Sequence, residues 1–226
     1  KNGTLSEEEK FLSYDRKQTF GLEASTVIWH FNVRGEAAYN LTNDIEGTDP
    51  YVHNNSLSYL AGFDIDLPFW NANLNVQEYG TYILNNKKIE DKRNEYLDLA
   101  ESATKAAKTY AALGQAEPSK KYASAAYQAS MMASADVDYN ANGYSNNKVA
   151  LNFSTSFLNE KILPEVTVVW GIEGGDFAAM PKVSYKPADG LTFTASGLIL
   201  VTKDDDSEFA AWKKNSFFSI GAEYQF

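Results

Sequence analysis

Phe218-Ser219-Ile220-Gly221-Ala222-Glu223-Tyr224-Gln225-Phe226, the end of the chain, alternates apolar and small or polar residues without a break. Successive side chains of an extended strand point to opposite faces. Phe218, Ile220, Ala222, Tyr224 and Phe226 therefore share one face, and Ser219, Gly221, Glu223 and Gln225 the other.

Upstream, the same period of two keeps returning. Leu191, Phe193, Ala195, Gly197, Ile199 and Val201 oppose Thr192, Thr194, Ser196 and Thr202. Pro181, Val183 and Tyr185 oppose Lys182, Ser184 and Lys186, while Val166, Val168, Trp170 and Ile172 oppose Glu165, Thr167, Val169, Gly171 and Glu173. Val149, Leu151, Phe153, Thr155 and Phe157 oppose Lys148, Ala150, Asn152, Ser154 and Ser156. Leu57, Tyr59, Ala61, Phe63, Ile65 and Leu67 oppose Ser58, Leu60, Gly62, Asp64 and Asp66. Val33, Gly35, Ala37, Tyr39 and Leu41 oppose Arg34, Glu36, Ala38 and Asn40, and Phe20, Leu22, Ala24, Thr26 and Ile28 oppose Gly21, Glu23, Ser25 and Val27. Leu74 and Val76 oppose Asn73, Asn75 and Gln77, but the pattern slips where Gln77 meets Glu78. A bulge there would return Tyr79 and Ile83 to the apolar face.

Nine such segments result, each about 9 to 13 residues long, which suits the roughly 9–11 residues that a tilted strand needs to cross hydrocarbon. A β-sandwich is the alternative, burying its apolar face against a second sheet. Strand length and the connectors weigh against it. Short connectors at 29–32, 68–71, 159–162 and 187–190 alternate with longer ones at 43–54, 85–146, 174–178 and 203–214. Outer-membrane barrels alternate short periplasmic turns with long extracellular loops in this way.

One connector changes period. Between 87 and 135, Ile89, Tyr96, Leu99, Ala100, Ala103, Ala106, Ala107, Tyr110 and Leu113 recur at helical spacings, with Gly114 as a stop. Pro118 opens a second helix carrying Tyr122, Ala125, Ala126, Ala129 and Met132, so the spacing predicts a close-packed helical hairpin. At the other end, Ser6 and Glu9 form a capping box for a short helix within the polar segment 1–18.

Composition narrows the function classes. The chain has 226 residues, a net charge of −10, 14% aromatic residues and a polar mean hydropathy of −0.40. A transmembrane β-barrel combines aromatics with low hydropathy because only alternate residues meet lipid. The acidic balance argues against nucleic-acid binding, which needs a basic face. Cysteine is absent, which removes thiolate chemistry; His30 and His53 stand far apart, so no metal or cofactor site and no catalytic constellation is expected. Both histidines read as surface groups. Asp204-Asp205-Asp206-Ser207-Glu208 reads as a solvated acidic loop. The start at Lys1-Asn2-Gly3 is expected of a mature chain or a fragment.

With its alternation, its aromatic third from the end and its terminal Phe, the last strand resembles the C-terminal targeting strand of Gram-negative outer-membrane β-barrel proteins. Arg34–Tyr39 and Asn75–Tyr79 are similar to porin-like barrels of unassigned function. The resemblance implies a cell outer-membrane location and recognition of Tyr224 and Phe226 by the barrel-assembly machinery. Such barrels have even strand numbers with both ends periplasmic. Nine strands therefore suggest the C-terminal part of a larger barrel.

The fold expected is all-β, an antiparallel transmembrane barrel with a helical hairpin in one long loop. Residues 1–18 are read as an extracellular loop, 19–84 as strands one to four, 85–146 as the insert and 147–226 as strands five to nine. Candidate lumen-lining residues are Glu23, Arg34, Glu36, Asp64, Asp66, Lys148, Glu165, Glu173, Lys182, Lys186 and Glu223. Their acidic excess suggests a mild preference for cations in a porin-like channel for small hydrophilic solutes. The alternative is a structural barrel presenting the helical module to partners, as an adhesin or scaffold. Expected partners are outer-membrane lipid and lipopolysaccharide, the assembly machinery, the missing upstream strands and, as one arrangement, further copies of the chain.

Overall fold

A computed structural model describes residues 16–205 and 207–226. The Ser6–Glu9 capping box and Asp206 lie outside these described residues. Nine strands form one sheet in chain order: β1 (Gln18–Ile28), β2 (Phe31–Leu41), β3 (Ser56–Leu67), β4 (Ala72–Ile83), β5 (Ser145–Ser154), β6 (Ile162–Gly171), β7 (Phe177–Ala188), β8 (Leu191–Val201) and β9 (Phe217–Tyr224). Every neighbouring pair from β3 to β9 is antiparallel. The sheet does not close on itself, so β1 and β9 are its edges.

Register fixes the faces, because directly opposed residues of paired strands share one side. Phe63 opposes Val76, Val76 opposes Leu151, and Leu151 opposes Val168. Val168 then opposes Ala179, Ala179 opposes Ile199, and Ala195 opposes Ile220. One apolar face thus runs from β3 to β9. Asp66, Asn73, Ser154 and Glu165 line up on the other face.

Three sequence expectations need correction. First, β4 has no bulge: its pairing with β3 is one-to-one from Ser56↔Ile83 to Leu67↔Ala72. With no residue inserted, Tyr79 and Ile83 stay on the polar face, and Glu78 and Tyr82 fall on the apolar one. The irregularity lies instead between Tyr185 and Ala188, where β7 slips against β8. Second, β5 stops at Ser154 and β6 at Gly171, short of Phe157 and Glu173. Third, connector 155–161 is longer than connector 172–176, so the short–long alternation fails in the middle of the sheet. Mutual hydrogen bonds between Phe157 and Ile162 (2.9 and 3.2 Å) tighten the first of these into a turn at its tip.

The chain divides into two compact units, and the sheet is one of them. It has almost no interior. Ala72, Ala178 and Ala210 are its buried apolar residues among those described, while Leu22, Phe218 and Ile220 are 76%, 71% and 74% exposed. The whole chain exposes 15975 Å². A folded monomer of this mass is expected to expose roughly 10,000 Å². Among the described residues, no layer covers the apolar face.

The second unit takes in Asn40–Asn55 and Asn85–Asp138 and has its own small core. Helix α1 (Lys87–Ala112) packs Ile89, Ala100, Ala103 and Ala107 within it, and α2 (Ala116–Ala133) packs Ala126, Ala129 and Ala133. Alanine faces let the two backbones approach closely, and the Tyr110 and Tyr122 rings stack at 5.4 Å. The turn between the helices is a Schellman motif: Gly114 N–H donates to Ala111 and Gln115 N–H to Tyr110, with Gly114 at φ +71°. A side chain there would be forced into the left-handed region, which is why glycine ends α1.

Candidate functional site

The polar face of the sheet gathers most of the sequence-predicted residues. Trp29 and His30 form a two-residue turn, with Trp29 at φ +56°. Counting inward from such a turn, Ile28 faces Phe31, Glu23 faces Glu36 and Thr19 faces Asn40. A hydrogen bond of 2.8 Å from Thr19 Oγ1 to Asn40 Oδ1 agrees with that register. The carboxylates of Glu23 and Glu36 are therefore cross-strand neighbours, and both residues are exposed. Like charges so placed repel. They border a cavity of about 820 Å³ that Leu60, Tyr79, Thr81, Asn146 and Lys148 also line.

The cations on this face are largely matched by acids. Arg34 lies 3.9 Å from Asp64, which also accepts from Asn32 at 2.7 Å. Lys182 lies 4.0 Å from Glu165, which accepts from Asn152 at 3.0 Å. Lys148, with its side chain 13% exposed, pairs with Glu208 at 3.0 Å. Asp66 accepts from Asn73 (2.9 Å) and Glu223 from Gln225 (2.7 Å), amide contacts that leave their charge in place. Pairing thus removes basic charge from the wall more completely than acidic charge. Lys186 sits inside the β7 irregularity, where its N–H donates to Lys161 O at 2.8 Å.

Glu208 belongs to the β8–β9 connector, three strands away from Lys148 on β5. This connector folds back over the polar face. Asp176, 2% exposed, anchors it by accepting the backbone N–H groups of Lys203 (3.2 Å) and Phe209 (2.6 Å). Asn142 adds a bond to Glu208 at 3.3 Å. Farther along the connector, Lys213 holds the exposed Asp205 carboxyl below its ordinary pKa.

Glu173 is the sequence-predicted lumen residue that lies elsewhere. It sits in the β6–β7 turn and grips Asn147, accepting its backbone N–H at 2.9 Å and its side-chain amide. Asn147, 4% exposed, belongs to the apolar face, where it opposes Gly80. A Cβ on Gly80 would collide with the Asn147 side chain, so glycine makes room for it. From the other side of Gly80, Tyr59 donates within 3.0 Å of both Asn147 Oδ1 and Glu78 Oε1. This polar cluster on the apolar face was missed from sequence. Its one sequence signal is the adjacent pair Gln77-Glu78, where the alternation slips.

Burial pushes the Glu173 pKa up, but the bonds from Asn147 and the Ser145 hydroxyl outweigh it, and the net shift is downward. A depressed folded pKa stabilises the fold above the unfolded value, and that stability is lost as pH falls through the folded value. Acid titration should therefore release the β6–β7 turn below the ordinary glutamate range. Glu173→Gln should remove that acid limb, as read by hydrogen exchange at the Asn147 amide. An unchanged limb would exclude Glu173 as its source.

Of the histidines, His30 lies in the β1–β2 turn. In the helical unit, His53 Nδ1 meets Asp138 Oδ1 at 2.7 Å, and Asp138 Oδ2 accepts the Asn54 N–H at 2.6 Å. Among the described residues, no group of three or more metal-capable side chains comes together. No helix among them is long and apolar enough to cross a membrane, a test that does not bear on strands. Comparison with protein-family models, curated proteins and solved structures gives no match to the chain.

Proposed function

We propose that the sheet is part of the wall of an outer-membrane β-barrel, and that the barrel is a porin-like channel for small hydrophilic solutes with a mild preference for cations. The observation that carries this reading is the uncovered apolar face, backed by a polar face with its own exposed cavity. Water on both sides would leave Phe20, Leu22, Ile199, Phe218 and Ile220 without cover. Lipid on one side and water on the other suits both faces.

The open edges support a larger barrel. In an antiparallel sheet of nine strands, β1 and β9 run in the same direction. Antiparallel closure therefore takes an odd number of further strands, for which the rest of the same barrel is the natural source. Across the polar face, the β8–β9 connector held by Lys148 and Asp176 would narrow the passage. Glu23 and Glu36, for which no ion pair forms among the described residues, would bias it toward cations. A metal-free, cofactor-free pore requires no catalytic constellation.

Single-channel recording in a planar bilayer under a potassium chloride gradient tests this. Discrete openings with a reversal potential on the cation side are expected, and Glu23→Gln with Glu36→Gln should move that potential toward zero. Absence of conductance from an inserted barrel would replace the channel with the structural alternative.

A further inference from the structure

We propose that the helical unit holds a binding site for a small aryl carboxylate, with two cations of α1 on its acid group and tyrosine and aliphatic walls around its ring. The site does not depend on the pore. A cavity of about 180 Å³ opens beside the first turns of α1. Ile89, Lys92, Arg93 and Tyr96 line it from positions i, i+3, i+4 and i+7, which share one face of a helix. Ile89 is 5% exposed and begins the buried stripe that continues through Ala100 and Ala103. Lys92 and Arg93 interrupt that stripe with two positive charges.

The remaining walls are held in place without a ligand. Pro50 and Tyr51 supply one from the β2–β3 connector, and Met132 adds the last turn of α2. Three contacts clamp that connector to the segment after α2. Val137 N–H donates to Pro50 O at 3.0 Å, His53 meets Asp138 at 2.7 Å, and Asn54 N–H donates to Asp138 at 2.6 Å. Within the connector, Asp44 accepts the N–H groups of Thr48 and Asp49, both at 2.7 Å, and Asp49 accepts that of Tyr51 at 3.0 Å. A wall fixed beforehand spares the ligand the cost of ordering it.

Charge and size select the ligand. The acids nearby turn to backbone groups: Asp44, Asp49 and Asp138 as above, and Asp136 to the Asp138 N–H at 3.0 Å. Among the described residues no carboxylate lines the cavity, and Lys92 forms no ion pair. In a chain of net charge −10, such a lining favours an anion. The planar Arg93 guanidinium matches a carboxylate at two points, where an ammonium offers one. A purely polar anion such as phosphate would leave the apolar walls bare. Tyr51 and Met132 are 71% and 52% exposed, area that an aromatic ring would cover. The volume lies below the roughly 300–1,000 Å³ of drug-sized sites, so it admits one ring with a short acid chain.

The full chain in detergent micelles, isotope-labelled at the methyl groups of its three methionines, tests this by NMR with phenylacetate as the probe. Met131 and Met180 do not line the cavity and serve as internal controls. The Met132 methyl signal should shift saturably with phenylacetate while the other two hold still. Phenylacetamide, which keeps the ring but not the charge, and inorganic phosphate, which keeps charge but not the ring, should each bind at least about tenfold more weakly. Lys92→Gln with Arg93→Gln should weaken phenylacetate about tenfold. Lys92→Gln alone changes an exposed side chain, should weaken it about threefold, and decides the matter if the double variant loses its helical circular dichroism. A Met132 signal that never shifts, three methyl signals that shift alike, equal affinity for the amide or the phosphate, or unchanged affinity in the lysine variant overturns the site.

Discussion

Arginine at Leu151, Phe153, Ile199 or Ile220 should cost about 2–4 kcal/mol where the site lies near the bilayer midplane, less toward either interface. The expectation follows from register. Leu151 sits between Val76 and Val168, Phe153 between Leu74 and Val166, and Ile220 opposite Ala195, so the charge would enter an apolar stretch in every case. Arginine at Asn152, Ser154 or Ser219 should be far milder. Asn152 lies between Asn75 and Thr167, and Ser219 opposite Ser196, on the side that the proposal gives to water. Reversible unfolding from lipid bilayers measures the difference. Equal tolerance of arginine on the two faces would remove the barrel reading, because a sheet wetted alike on both sides has no reason to discriminate.

The two-faced sheet was legible because antiparallel pairing preserves alternation. Once one strand's apolar side is known, each neighbour must present its own to the same side. The Leu191 segment reads correctly for this reason, as do the Val149, Val166 and Phe218 segments as far as Ser154, Gly171 and Tyr224. The β4 reading failed where a local rule met a longer-range cause. A polar pair usually signals an inserted residue, but Glu78 stays in register and is held by Tyr59 from the neighbouring strand. Nothing within β4 itself names that partner. Glu173 misled in the same way: it continues an alternating run on paper, yet it stands in a turn where its carboxylate is engaged by Asn147 of β5, a segment distant in sequence.

The helical hairpin was legible from its 3.6-residue period and Gly114, since both are local. Contacts that arise only when distant connectors meet were not. Lys148 and Glu208 are sixty residues apart, and His53 and Asp138 are separated by eighty-five. Single-residue patterns carry no record of such pairs. The two-faced sheet was thus foreseen, while the connector folded over its polar face was not. Strand closure was equally beyond local reading: alternation says which way each strand faces, and nothing in it says that β1 and β9 stand as open edges.

Replacing Tyr224 and Phe226 with serine should abolish most outer-membrane insertion while leaving synthesis intact. The prediction follows from the proposed location and from where these rings stand. Tyr224 is the last residue of β9 to pair with β8, opposite Leu191, and Phe226 lies beyond the ladder. A 2.8 Å bond from Gln225 N–H to the Gly190 carbonyl already ties down the chain end through its backbone. The two rings stack at 6.5 Å, and both are exposed, so little of the sheet depends on them for packing. Their loss should therefore spare the β8–β9 ladder, a separation that distinguishes a recognition signal from a structural support. Tyr224→Phe with Phe226→Tyr, which keeps both rings, should restore insertion. Cell fractionation and heat-modifiable gel mobility read the outcome. Unchanged insertion of the serine variant would show that the assembly machinery does not read this strand. A serine variant whose β8–β9 amides also lost hydrogen-exchange protection would instead make the rings structural, and the recognition role would fall with that result.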